Sequence, residues 1–304
     1  MLRRDIERYV ALHQARGFKF SNPCVLLRSF VAFAEERGDE YLKVDRVLEW
    51  AVRAPSAPQR RCRLDILRRF ALEMSAEGGR HEVPPRDAFG RGGFKRRPPH
   101  IYRSDEIRRL VDAALALNPA GSIRPLMYAT LFGLLVSTGL RISEALNLRL
   151  NDVTTDGLLI NETKFRKSRL VPIHGSTHQA LDRYLLARTK LGHLDGHVFV
   201  TTTGRRPSYA TVRDTFRILA KTAGLGGQPE RRHPRIHDLR HTFAVRSLEA
   251  CVPDRTSVSR HIAALSTYLG HCNIESTYWY LEATPVLLKQ IADATELAHQ
   301  GGML

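Results

Sequence analysis

The segment that most restricts how this chain can fold is an apolar run from Leu126 to Leu140, broken by Thr130, Gly133, Ser137, Thr138 and Gly139 and carrying no charge. A membrane-spanning helix needs about 20 consecutive apolar residues. The run is too short for that and reads as a helix buried in a protein core. Its length and its all-round apolar character call for neighbouring helices to cover it. At 304 residues and 43% hydrophobic composition, the chain is long enough for two domains with substantial cores.

The expected fold is mainly α with a small β-hairpin or sheet. Residues 1–78 read as four helices. The second has Asn22 as N-cap, Pro23 in its first turn and Gly38 as its stop, and the third ends before Pro55. The fourth is studded with Arg60, Arg61, Arg63, Arg68 and Arg69, which suits either a DNA backbone or a plain solvated face. Residues 79–100 are dense in Gly, Pro and Arg and read as a basic linker. The second domain, 101–304, opens with a helix capped by Ser104. The apolar helix follows, and then a turn at Gly139 that leads to Arg141 and Glu144, spaced i,i+3 at a helix start. Leu158–Thr163 and Arg169–Ile173 read as the strands of a hairpin, and "HVFVTTTGRRPS" as a short strand and basic loop. A last amphipathic helix is expected from about Pro285.

The formal charge is +16, from 47 Lys and Arg against 31 Asp and Glu. Such an excess favours a polyanionic partner, most commonly nucleic acid, although it also fits a merely basic soluble protein. The four cysteines (Cys24, Cys62, Cys251 and Cys272) form no CxxC pair, so neither a disulfide framework nor a cysteine zinc site is indicated. That usage fits a reducing cytoplasm. The first residues are charged where a secretory signal would be apolar, and no membrane association is expected.

The chemistry concentrates in two late segments. In "RIHDLRHTFA", taken as a helix opening after Pro234, His237 and Arg240 share a face. A histidine beside a fixed cationic fork suits a phosphate. In "LSTYLGHCNIESTYWYL", Gly270-His271 ends one helix, and the next presents Tyr278 and Tyr280 on different faces. "HDLRHTFA" followed by "LGH" and by a tyrosine nine residues after that histidine resembles the tyrosine recombinase (phage integrase) family, and the offset selects Tyr280 over Tyr278. "TGLRISEALNL" resembles the family's first arginine box, and "TKFRKSRLVPI" its lysine-bearing hairpin, with Lys167 as the rival to Lys164. The likeness covers about residues 101–284.

The resemblance implies a mixed α/β catalytic domain behind a four-helix core-DNA-binding domain. It implies site-specific recombination through a covalent 3′-phosphotyrosyl intermediate, with neither metal, ATP nor other cofactor. Tyr280 would be the nucleophile, and Arg141 and Arg240 would clamp the phosphate oxygens. Lys164 would protonate the leaving 5′ oxygen, His237 would help take the phenolic proton, and His271 would hydrogen-bond the phosphate. Glu144 would support the site from behind. The implied partner is double-stranded DNA, bound by a homo-tetramer on two synapsed duplexes, with sister recombinases as possible companions, and "TYWYLEATP" resembles recombinases of transposons and tandem cassettes. The stretch between Arg240 and His271 is longer than the family pattern and is expected to hold an extra turn or loop.

Other readings fit less of the sequence. His237 and His241 have the i,i+4 spacing of helix zinc ligands, but Asp238 stands where zincins carry Glu and no third ligand is evident. No three carboxylates sit in a setting that suggests a metal-dependent transposase. A type IB topoisomerase would share the chemistry, and a catalytically inert DNA-binding protein the fold.

Overall fold

A computed structural model describes residues 1–18, 20–76, 78, 80–90, 98–161, 168–192, 195–225, 233–250, 255–270 and 280, with backbone alone for 255–258. The chain forms two compact units, 1–97 and 98–304. Most of the described chain is helical, and no described helix is long and apolar enough to cross a membrane.

The first unit holds four helices: α1 (Leu2–Ala15), α2 (Ser21–Glu35), α3 (Val44–Val52) and α4 (Ala57–Ala76). They close over a core that includes Leu27, Phe30, Trp50, Leu67 and Phe70. α2 starts one residue before Asn22, after Phe20 in a left-handed conformation (φ 46°), so Asn22 lies inside the helix and does not cap it. On α4 four arginines are held by the protein's own carbonyls: Arg60 donates to Ala54 O, Arg61 to Gly90 O, Arg63 to Trp50 O and Arg68 to Pro84 O. Within the expected linker, Val83, Ala88 and Phe89 pack on this core, and His81 Nδ1 accepts the Leu42 N–H at 3.1 Å.

The second unit is built round the apolar helix. α5 (Ser104–Leu115) and α6 (Ile123–Thr138) pair, and α6 has eleven buried residues spread round its circumference, as its sequence requires. α5 begins one position earlier than expected: Arg103, not Ser104, occupies the cap position, and its N–H donates to Glu106 Oε2 at 2.8 Å. α6 ends at Gly139 (φ 62°). A Cβ there would lie 2.5 Å from Phe243 Cδ1, so this corner requires glycine both for its dihedral and for its space.

Next come α7 (Ile142–Asn147), a 3-10 turn, and an antiparallel sheet of three strands: β1 (Val153–Thr154), β2 (Gly157–Ile160) and β3 (Arg169–Val171). The register pairs Leu158 with Val171 and Ile160 with Arg169. The described strands are shorter than the sequence suggested, and the two-residue β1 was not anticipated. Val198 to Val200, expected as a strand, are fully buried without forming one; Tyr184 Oη ties them down by donating to Val198 O and accepting from Val200 N–H.

α8 (Gly175–Thr189), α9 (Tyr209–Thr222), α10 (Ile236–Glu249) and α11 (Arg255–Leu269) complete the described unit. The long interval after Arg240 is mostly helix: the rest of α10 and then α11, whose Ile262, Leu265 and Leu269 pack on Ala244, Val245 and Leu248 of α10. Residues 251–254, between the two helices, lie outside the described residues, and with them the place of the expected extra turn or loop. The helix expected from Pro285 lies outside the described residues.

Candidate active site

α10 is fixed at its start by Asp238, which is 1% exposed and takes the Arg235 N–H and Arg235 Nη2 at 2.8 Å each. Asp238 therefore closes the first turn of the helix. This sets the phase of α10 and directs His237, Arg240 and His241 toward one side.

Arg240 is 2% exposed. Its Nη1 donates to Gly139 O and its Nη2 to Leu269 O, both at 2.7 Å. Arg141 Nη2 donates to the next carbonyl, Gly270 O, at 3.0 Å, and Arg169 Nε donates to the preceding one, Tyr268 O, at 2.8 Å. Three consecutive carbonyls at the C-terminal end of α11 thus hold three guanidinium groups. The last carbonyls of a helix lack partners within it and carry the negative end of its dipole, so they suit cations. Gly270 (φ 65°) makes the socket possible: a Cβ there would stand 3.0 Å from Arg169 Nη1.

One carboxylate balances this group. Glu144 accepts from Arg141 Nη1 at 2.8 Å and from the Arg141 N–H at 2.9 Å, and it takes a two-pronged contact from Arg169 at 2.8 and 3.2 Å. Burial pushes its carboxyl up, but the Arg169 and Arg141 hydrogen bonds outweigh this and hold it below the ordinary carboxylate value. Arg240 is pulled down to about 10, first by burial and then by Arg141, and remains cationic near neutrality.

Tyr280 is 2% exposed and packs against α10 and α11. Its hydroxyl lies 3.2 Å from His241 Nδ1, and the His241 ring meets His237 edge to face at 4.6 Å. Among the described residues, no three His, Cys, Asp or Glu side chains are grouped to hold a metal ion.

The phage integrase family model matches residues 101–285. Over 300 residues the chain is 35% identical to the integrase/recombinase y4rB of Sinorhizobium fredii, covering 95% of each protein. The chain belongs to the phage integrase family. Its enzyme class is that of the tyrosine site-specific recombinases. The fold agrees with solved members of this family. The XerH recombinase in a post-cleavage complex with its palindromic difH substrate superposes with a TM-score of 0.66, at 17% identity over 90% of this chain and 78% of that one. A λ integrase tetramer bound to a Holliday junction gives 0.63 at 18% identity, over 92% and 76%.

Of the residues singled out in this integrase's sequence, the structure gathers Arg141, Glu144, His237, Arg240 and Tyr280 around the ends of α6, α10 and α11. Lys164, its rival Lys167, His271 and Tyr278 lie outside the described residues. Two further members were not selected from sequence. Arg169 was read only as a strand end, and His241 was weighed only as a zinc ligand, yet Arg169 holds Glu144 and His241 Nδ1 lies 3.2 Å from the Tyr280 hydroxyl.

His237 has a solvent-exposed side, yet its ring is held down to about 4, first by the water it loses to surrounding protein and then by the charge of Arg240. Both causes disfavour the imidazolium. A lowered folded value means that the unfolded chain takes up this proton first. The residue's contribution to stability is thus present above pH 6.5 and is lost as pH falls toward 4. The His237 Hε1 resonance is expected to titrate with a midpoint well below 6.5 in the DNA-free protein and to move upward when a phosphodiester occupies the site. A midpoint at or above 6.5 without DNA would contradict the placement of His237 beside Arg240.

Proposed function

We propose that this integrase cuts and rejoins double-stranded DNA at specific sites through a covalent 3′-phosphotyrosyl intermediate, as part of moving or resolving a mobile element. The observation that carries the reading is the pair Arg141 and Arg240, held on adjacent carbonyls, Gly270 O and Leu269 O, with the Tyr280 hydroxyl beside His241, the residue after Arg240 on α10. Two fixed guanidinium groups stabilise the charge that develops on the non-bridging oxygens of a phosphodiester under attack. The Tyr280 oxygen bonds to phosphorus as its proton leaves to a histidine, His237 in the family's scheme or His241 by proximity. The bond to the 5′ oxygen breaks, and Lys164 supplies the proton that oxygen needs. The ester keeps the energy of the broken bond, so the reverse attack by a 5′ hydroxyl reseals the strand without ATP.

A phenol that is 2% exposed does not meet DNA as it stands, so binding must bring Tyr280 out from between α10 and α11. The DNA-bound relatives support duplex DNA as the partner and a tetramer as the working assembly. Short nicked duplexes tiled across the DNA flanking the coding sequence, incubated with the full chain in EDTA, should give a protein–DNA adduct on a denaturing gel. A strict requirement for a divalent cation would overturn the mechanism.

A further inference from the structure

We propose that Arg169 is a positioning residue for strand cleavage: as the counter-ion of Glu144 it leaves the positive charge of Arg141 available to the scissile phosphate. This rests on the function proposed above and adds a residue to its machinery.

The argument is one of charge and geometry. Three guanidinium groups and one carboxylate meet at the end of α11. If Glu144 were neutralised by Arg141 alone, only Arg240 would face the phosphate with an unspent charge. Arg169 changes this distribution. It presents two N–H groups of its fork to the two oxygens of Glu144, at 2.8 and 3.2 Å, in the arrangement that best satisfies a carboxylate. Its third donor, Nε, is fixed on Tyr268 O at 2.8 Å. Its side chain is 13% exposed, against 32% for Arg141, so Arg169 is the enclosed partner and Arg141 the one that faces outward. Glu144 then acts on Arg141 chiefly as a guide: it caps the Arg141 N–H at 2.9 Å and steers Nη1 at 2.8 Å. The cluster keeps two net positive charges where a phosphodiester passing through a pentacoordinate state gains negative charge.

The position of Arg169 in the fold makes it suited to this task. It stands opposite Ile160 in the sheet and so shares the inner face with that buried residue. It also begins β3, five residues after Lys164 in the sequence. One side chain therefore joins β3, the first arginine box and the end of α11.

The test is single-turnover cleavage by the full chain of a nicked duplex that the wild type cuts, at temperatures where every variant remains folded by circular dichroism. Arg169→Gln should lower the cleavage rate roughly 30-fold, somewhat less than loss of a donor that touches the transition state, while DNA affinity changes little. Arg169→Lys should recover part of the rate, since it keeps the charge and loses the fork. The deciding comparison is made in the Glu144→Gln background, where no carboxylate remains to be neutralised. There Arg169→Gln should cost no more than about threefold, because the two changes share one function. If Arg169 only anchors β3 to Tyr268 O, the loss will be equally large in both backgrounds and the proposal fails. A wild-type rate for Arg169→Gln would also overturn it. Tyr280→Phe run alongside separates the two ideas: an adduct from that variant would sink the underlying mechanism whatever Arg169 does.

Discussion

Tyr280→Phe is expected to abolish the covalent protein–DNA adduct while leaving DNA binding and folding nearly intact. The substitution removes one oxygen, the only atom of the side chain able to bond to phosphorus. The ring stays, and so does its packing against Ala244, Leu248, Ile262 and Leu265. Among the described contacts, folding loses the hydrogen bond to His241 Nδ1 at 3.2 Å, ordinarily about 1 kcal/mol. Cleavage, by contrast, should fall below detection, because a water molecule in place of the phenol would release free ends rather than an adduct. Tyr278→Phe is the control, since Tyr278 stands two residues nearer to His271 in the sequence and also carries a phenol. Loss of the adduct in Tyr278→Phe alone would move the nucleophile by two positions and leave the class of reaction intact. Persistence of the adduct in both variants would remove tyrosine chemistry from the account.

Much of this molecule could be read from side-chain pattern, and its gaps have physical causes. The uncharged run around Phe132 had to become a buried helix, and Gly139 after it had to turn the chain, because no other residue fits a positive φ against Phe243. His237, Arg240 and Tyr280 were legible from spacing within the motif. Arg169 was missed although the signal was present: in β3 the alternation Arg169, Leu170, Val171 places the arginine on the same face as buried Val171. An arginine on an inner face needs an acceptor there, and Glu144 is that acceptor. The carbonyls of Tyr268, Leu269 and Gly270 had no such signal, since backbone groups look the same at every position until a helix end presents them. Local boundaries also shifted. The left-handed Phe20 moves the start of α2, and the local Arg103–Glu106 capping box, rather than Ser104, sets the start of α5.

Arg240→Ala is expected to have the largest combined effect of any single change in the described site. Its charge is one of the two assigned to the phosphate, and loss of such a donor lowers catalysis by about 100- to 1,000-fold. Its guanidinium also links Gly139 O to Leu269 O in the interior, so truncation strands two buried carbonyls and opens a cavity. Each stranded group costs about 1–3 kcal/mol. A protein with this fold should therefore lose several degrees or more in its unfolding midpoint. Arg240→Lys separates the two roles. Lysine restores a cation to the region but cannot span both carbonyls with a rigid fork, so part of the stability should return while cleavage remains at least about tenfold down. Measuring the adduct rate well below each variant's unfolding midpoint keeps the two effects apart. A cleavage rate within twofold of wild type for folded Arg240→Ala would show that the phosphate is held elsewhere, and that this buried arginine serves only to lock the end of α6 to the end of α11.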